Sequence, residues 1–326
     1  MNVVIRPAIL DDARAITEIN ISDVNTWIRF DGNKLEQDKY ENVSVEDRYL
    51  KGGPWMSIET CAIHLNYMLT TPGNFVYVAE LDSKVVGEIE IILDHEPPPY
   101  DKHVFIYLLW IHKQARGKGI GSRLVRYVEE KAIEEYNINK ITVVPEKESI
   151  KFYQKLGFSE FEKYTTIEIY KTTRKNSVSE IDLDTINDLH DWFFIIGRFA
   201  SSRSILFNMK CKYYFPKLKV EKYAFSLDLT DGEAIAIIRK SRKCIIPCAF
   251  YCWIKTHSLS SEIIKECIEI ASGLANKLNI DKLITCVRND FKKEISQLKF
   301  VKIRDEFSFF QKSWKTPHRD NFNDLF

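Results

Sequence analysis

Arg116-Gly117-Lys118-Gly119-Ile120-Gly121 lies between an apolar run, Val104 to Ile111, and a stretch of helical periodicity, Ser122 to Tyr136. The order reads as a strand that turns through a glycine loop into a helix. The first amides of such a helix have no partner within it and carry the positive end of its dipole, so the turn is a seat for anionic oxygens. Glycine at 117, 119 and 121 removes the β-carbons that would keep a phosphate from the main chain, and Arg116 and Lys118 add two cations. The expected ligand is a phosphate-bearing cofactor; the plainer alternative is a simple helix start.

Spacing separates the cofactor classes. A dinucleotide fingerprint needs its third glycine at position 122, which is Ser122, and a Walker loop needs lysine directly after its last glycine. Neither template fits. The segment resembles the acyl-CoA loop of the GNAT superfamily of N-acetyltransferases, whose pattern is Arg or Gln, two residues, Gly, one residue, Gly or Ala. Arg116, Gly119 and Gly121 fill it. Ser149 to Phe158, Ser-Ile-Lys-Phe-Tyr-Gln-Lys-Leu-Gly-Phe, resembles the family's second signature, a short helix bearing a tyrosine and closing on Leu-Gly-Phe. Read physically, this is a helix with Ile150 and Tyr153 on its buried side and Gly157 as its left-handed C-cap. The family often has Asn where this chain has Glu146.

The resemblance implies an α/β fold, acetyl-CoA as cofactor and a primary amine of a small molecule or peptide as acceptor. It implies that Ile111 and Lys113 pair with the pantetheine arm and that the main chain around Arg116, Gly117, Lys118, Gly119, Ile120, Gly121 and Ser122 holds the phosphates. It also implies that Tyr153 is the general acid. A phenol of pKa about 10 can donate to a thiolate whose acid has pKa about 8.5, whereas a lysine-like amine, at about 10.4, must first lose a proton. The family often places a glutamate for this on the central strand, but Val104 to Tyr107 has no carboxylate. Glu88 is the expected base, with Glu90 and His103 as alternatives, acting directly or through water. Without a base, either the substrate arrives neutral or the chain is a non-catalytic acyl-CoA-binding or sensing protein.

The 326 residues suit two domains, and 45% hydrophobic with 29% charged residues is a globular composition. Lys+Arg 47 against Asp+Glu 46 leaves a net charge of +1, with no basic field for nucleic acid or an anionic membrane; the aromatic-interleaved cations of Lys210 to Lys222 are a minor counter-sign. No signal-peptide pattern opens the sequence, no apolar run has the length of a membrane span, and seven cysteines read as free thiols, so a cytoplasmic home is expected. Cys244, Cys248 and Cys252 recur every four residues. On a strand that spacing is roughly 13 Å, too far to share an ion, and no metal is expected.

Ile5 to Ile19 reads as a strand running into a capped helix, and Phe75 to Leu93 as a hairpin turning at Asp82-Ser83. Between them, Ile21 to Pro72 is an aromatic-rich insert with a Gly52-Gly53-Pro54 break and a helix phased on Ile58, Cys61, Leu65 and Leu69. It is either a substrate wall or a lid of core aromatics. Asn137-Ile138-Asn139-Lys140 returns as Asn279-Ile280-Asp281-Lys282, a shift of 279 − 137 = 142, which also carries Leu156-Gly157-Phe158 onto Leu298-Lys299-Phe300. The expected architecture is therefore two tandem GNAT-like domains, each a mixed central sheet flanked by helices. Residues 1–173 form the cofactor-binding copy and residues 177–326 a degenerate one, joined near Thr172 to Ser179. In the second copy the glycine loop becomes Ser258 to Ile263 and Tyr153 becomes Ile295.

Overall fold

The computed structural model describes residues 2–31, 34–174, 178–212, 220–241 and 248–314. The first half begins with β1 (Val3–Pro7), α1 (Ala13–Ile21), β2 (Trp27–Asp31), β3 (Lys34–Asp38), α2 (Val45–Gly52) and α3 (Ile58–Thr70). It continues with β4 (Asn74–Leu81), β5 (Lys84–Glu96), β6 (Asp101–Ile111), α4 (Ile120–Glu134), β7 (Lys140–Val143), α5 (Ile150–Lys155) and β8 (Ser159–Tyr170). The second half runs β9 (Val178–Ile181), β10 (Phe193–Ile196), α6 (Ser202–Lys210), β11 (Val220–Leu229), β12 (Gly232–Ser241), β13 (Cys248–Lys255), α7 (Ser261–Lys277), β14 (Lys282–Arg288), α8 (Lys292–Ile295) and β15 (Val301–Ser313).

The expected hairpin forms as β4 and β5. Asp82 and Ser83 take φ of 52° and 64°, the left-handed pair that a two-residue turn needs to follow strand twist. α4 buries Ile120, Leu124, Val125, Val128 and Ala132 as one stripe on one face of the sheet, while α1 and α3 cover the other. In α3 the buried face is rotated from the expected phase: Cys61 and Leu65 are buried, but Leu69 is 39% exposed and Thr60, His64 and Met68 turn inward. The cause is polar, because His64 Nε2 meets Glu90 Oε2 on β5 at 2.9 Å.

Apart from the β2–β3 hairpin, the strands form one mixed sheet of 13, in the order β1-β4-β5-β6-β7-β15-β8-β14-β10-β13-β12-β11-β9. The closing strands of the halves are exchanged. β15 pairs with β7 of the first half, Phe310 opposite Val143, and β8 pairs with β14 of the second, Tyr170 opposite Lys282. The two exchanged strands also pair with each other. Element starts recur at the spacing read from the sequence: 140 + 142 = 282 for β7 and β14, 150 + 142 = 292 for α5 and α8, and 159 + 142 = 301 for β8 and β15.

A second joint binds the halves at the start of α6. Asp94 and Glu96, at the end of β5, accept the main-chain amides of Arg203 at 2.7 Å and Ser202 at 3.2 Å, so carboxylates of one half cap a helix of the other. Arg198 pairs with the remaining oxygen of Glu96, donates to Phe194 O at 2.7 Å and lies 3.7 Å over the Tyr100 ring. Cys252 is buried and Cys248 half-buried, whereas Cys244, Tyr213, Tyr214 and Phe215 lie outside the described residues.

Candidate active site

β6 and β7 run parallel and bond only at Val104–Ile141 and Phe105–Thr142. Beyond that point they part, and a cavity of about 650 Å³ opens between residues 106–111 of β6 and residues 143–146 after β7. The glycine loop and the start of α4 form one end of its wall, and Phe152 and Tyr153 of α5 form another part. The register of β6 against β5 slips between Glu90 and Ile91, which leaves Tyr107 as an extra residue in a bulge facing this cavity.

Gly119 is the N-cap of α4 with φ of 76°, and no side chain caps the helix. The first-turn amides of Ile120, Gly121 and Ser122 therefore lack intrahelical partners and stand on the cavity wall. A β-carbon built on Gly117 or Gly119 would meet nothing within 4 Å, so the space over the loop is open, as a phosphate cradle requires. Arg116 fixes the loop rather than pointing freely into it. Its Nε donates to Ile111 O at 3.0 Å, and its guanidinium forms a double contact with Asp23, with Nη1 3.0 Å from Oδ1.

Ile111, Arg116, Gly117, Gly119, Ile120, Gly121, Ser122 and Tyr153 thus come together on one cavity. Lys113, Lys118 and Glu88 stand off its wall, and the Lys113 amide is held by Ser22 Oγ at 3.0 Å. Tyr153 is buried, and burial, followed by the charge of Glu146, pushes its phenol above the ordinary tyrosine value, so it keeps its proton at neutral pH.

Glu88 stands opposite Trp110 in the β5–β6 ladder and is fully buried. Asn20 Nδ2 donates to one of its oxygens at 2.5 Å, and the other has no partner among the described residues. Burial, then the charge of Glu90, pushes its pKa well above the usual carboxylate range against that hydrogen bond. A glutamate raised in this way contributes stability in full below the unfolded pKa of about 4.3 and loses it as pH rises through the folded pKa. Glu88→Gln, which keeps the shape of the protonated side chain, is therefore expected to melt above the wild type at pH 8 and no higher at pH 4. Thermal unfolding at both values checks this, and an equal gap at both contradicts it.

The other candidate bases are engaged elsewhere: Glu90 accepts Trp55 Nε1 at 2.7 Å besides His64, and His103 Nδ1 lies 3.1 Å from Asp101 O at the far end of β6. The carboxylates that do line the cavity are Glu146 and Glu148. The sequence marked Glu146 only as a departure from the family pattern; Glu148 and Tyr107 carried no signal.

The corresponding groove of the second half is filled. β10 lies between β13 and β14 and bonds to both, Ile196 opposite Cys252 and Val287. The start of α7 is capped by its own Ser260, whose Oγ accepts Ile263 N at 3.3 Å. Ile295, in the place of Tyr153, is buried without a proton to give.

The Acetyltransferase (GNAT) family model matches residues 39–158, a span holding the hairpin, the glycine loop and the tyrosine helix. The chain carries a GNAT acetyltransferase domain. The chain is similar to N-acetyltransferase 8 of Rattus norvegicus, 25% identical over 118 residues, which is 34% of this chain and 53% of the relative. It is also similar to N-acetyltransferase 8B of the same organism, 31% identical over 86 residues, or 24% and 39% of the two chains. The chain thus spans about half or less of these relatives' length. Beyond the GNAT domain, the fold of nearly the whole chain matches a GCN5-related N-acetyltransferase from Anabaena variabilis, with TM-score 0.58, 12% identity and 96% and 73% coverage. One from Kribbella flavida matches with TM-score 0.57, 10% identity and 96% and 71% coverage. At such identities the likeness is one of fold.

Proposed function

We propose that this chain is an N-acetyltransferase that moves an acetyl group from acetyl-CoA to a primary amine of a small molecule or peptide, through a ternary complex in the cavity of its first half. Residues 177–326 are then a second, degenerate copy beside residues 1–173. One observation carries the reading: a helix start with uncapped amides and open space above it shares a single cavity with a buried tyrosine hydroxyl. The names of the two rat relatives support the N-acetyl class. The unpaired thiols, Cys61, Cys211 and Cys286 among them, suit a cytoplasmic protein.

The residues present fit coenzyme A, which when bound supplies an acyl thioester. The amides of residues 117–122 would hold its phosphates, and the main chain of β6 up to Ile111 its arm. Tyr153 Oη holds the proton that the departing thiolate requires. Glu88, whose carboxyl burial raises above the usual range and which stands off the cavity wall, would take the amine's proton through a water. No cysteine stands on the cavity wall among the described residues, which favours direct attack by the amine.

The test is release of free thiol from acetyl-CoA in the presence of an amine panel. Thiol formed only when an amine is present supports the transferase; coenzyme A binding without thiol release would make the chain an acyl-CoA-binding protein instead. Gly119→Val puts a branched side chain at a positive φ and into the phosphate seat. It is expected to weaken coenzyme A binding by about ten- to a hundredfold, the worth of one or two charge-assisted hydrogen bonds. Calorimetry reads this, and unchanged affinity counts against the seat.

A further inference from the structure

Asn208, on α6 of the second half, bonds to Tyr107, which lines the cavity of the first. Its Oδ1 accepts the Tyr107 hydroxyl at 2.8 Å, while its Nδ2 donates to Ser204 O of its own helix at 2.8 Å. The second bond settles which end of the amide faces Tyr107. Burial raises the Tyr107 phenol far above its ordinary pKa, so it is a donor at every working pH.

Tyr107 holds a special place. As the extra residue of the β6 bulge it has no ladder partner on β5, and it stands on the cavity wall where the two strands part. Its ring packs 5.9 Å from Trp55 and 6.1 Å from His64, and Glu90 anchors both of those. That network fixes the ring's faces; Asn208 fixes its hydroxyl end. α6 can serve as an anchor because Phe207 is buried in the core shared with α1 and α3.

We propose that Asn208 is a positioning residue for the first half's site. Through the Tyr107 hydroxyl it sets the bulge of β6 and with it the main chain beside the reacting centre, so the half that has no phosphate loop completes the site of the half that has one. The proposal rests on the transferase reading above. Because the phosphate seat lies past Ile111, on the loop and helix that follow β6, loss of Asn208 should lower turnover and spare coenzyme A affinity.

The experiment compares full-length wild type, Asn208→Ala, Tyr107→Phe and the double variant. The readouts are thiol release from acetyl-CoA with spermidine, lysine and a short peptide as acceptors, coenzyme A binding by calorimetry, and amide hydrogen exchange across residues 105–109. Each single change is expected to lower kcat/KM about tenfold, one neutral buried hydrogen bond's worth, and the double no further than the worse single, because both remove the same contact. Coenzyme A affinity should stay within about twofold and exchange across 105–109 should quicken in all three variants. Tyr107→Phe deletes one atom from a packed ring, so it tests the contact even if Asn208→Ala folds poorly. Losses that multiply in the double variant, or unchanged exchange, overturn the proposal. If the wild type releases no thiol with any acceptor, the transferase reading fails and the exchange result alone decides the role of Asn208.

Discussion

Tyr153→Phe is expected to lower turnover by about two to four orders of magnitude, the usual worth of a positioned general acid, while coenzyme A still binds. The ring would stay where it is. It is 5% exposed and meets Phe152 and Phe158 edge-on, with ring centroids 5.0 and 5.4 Å apart, and neither contact involves the hydroxyl. Among the described residues the hydroxyl forms no recorded hydrogen bond that holds the fold together, so its removal should leave stability nearly unchanged. The phosphate seat at residues 117–122 belongs to a different helix and is untouched. On the proposed mechanism, what is lost is the proton that Tyr153 would give to the departing thiolate. Steady-state thiol release with calorimetry in parallel reads both sides of the claim. A rate within about threefold of wild type would remove Tyr153 from the chemistry, and lost coenzyme A binding would make it a structural residue.

Arg198→Ala is expected to cost about 3–5 kcal/mol of stability, because it leaves a buried carboxylate without its counter-charge. Arg198 and Glu96 are each 1% exposed on the side chain, and they join β5 of one half to the segment that leads into α6 of the other. The guanidinium also covers the Tyr100 ring, so its loss opens a void as well as an unpaired charge. Ser202 N still donates to Glu96, which sets the lower end of the range. Glu96→Gln together with Arg198→Met should be milder than Arg198→Ala alone, since no charge is then left buried. Urea unfolding of the three proteins checks the order. A cost under about 1 kcal/mol for Arg198→Ala would mean that the joint does not hold the halves together.

The sequence was readable where structure is local. The glycine loop, the tyrosine helix and the Asp82-Ser83 turn each need particular residues at particular backbone angles, and those residues stand in the chain in order. The shift of 142 likewise reappears in the starts of β14, α8 and β15. What could not be read is which strand lies beside which. Alternation in β8 and β15 tells which face of a strand is buried but not its neighbour, and an exchanged strand buries the same faces as an unexchanged one. The β10 strand that fills the second groove is four residues long and carries no motif. Among site residues, the burial of Glu88 was not legible, because the groups that enclose it and its neighbour Glu90, Asn20, Trp55 and His64, come from the insert and the helix before it. Asn208 was hidden for the same reason: its partner is 101 positions away.

The most direct measurement of the central claim is titration of the full-length protein with coenzyme A by calorimetry. The account predicts saturable binding at one molecule per chain, since one groove is open and the other is filled by β10, with affinity falling in Gly119→Val. No heat of binding would contradict the phosphate seat, and two molecules per chain would contradict the closed second groove.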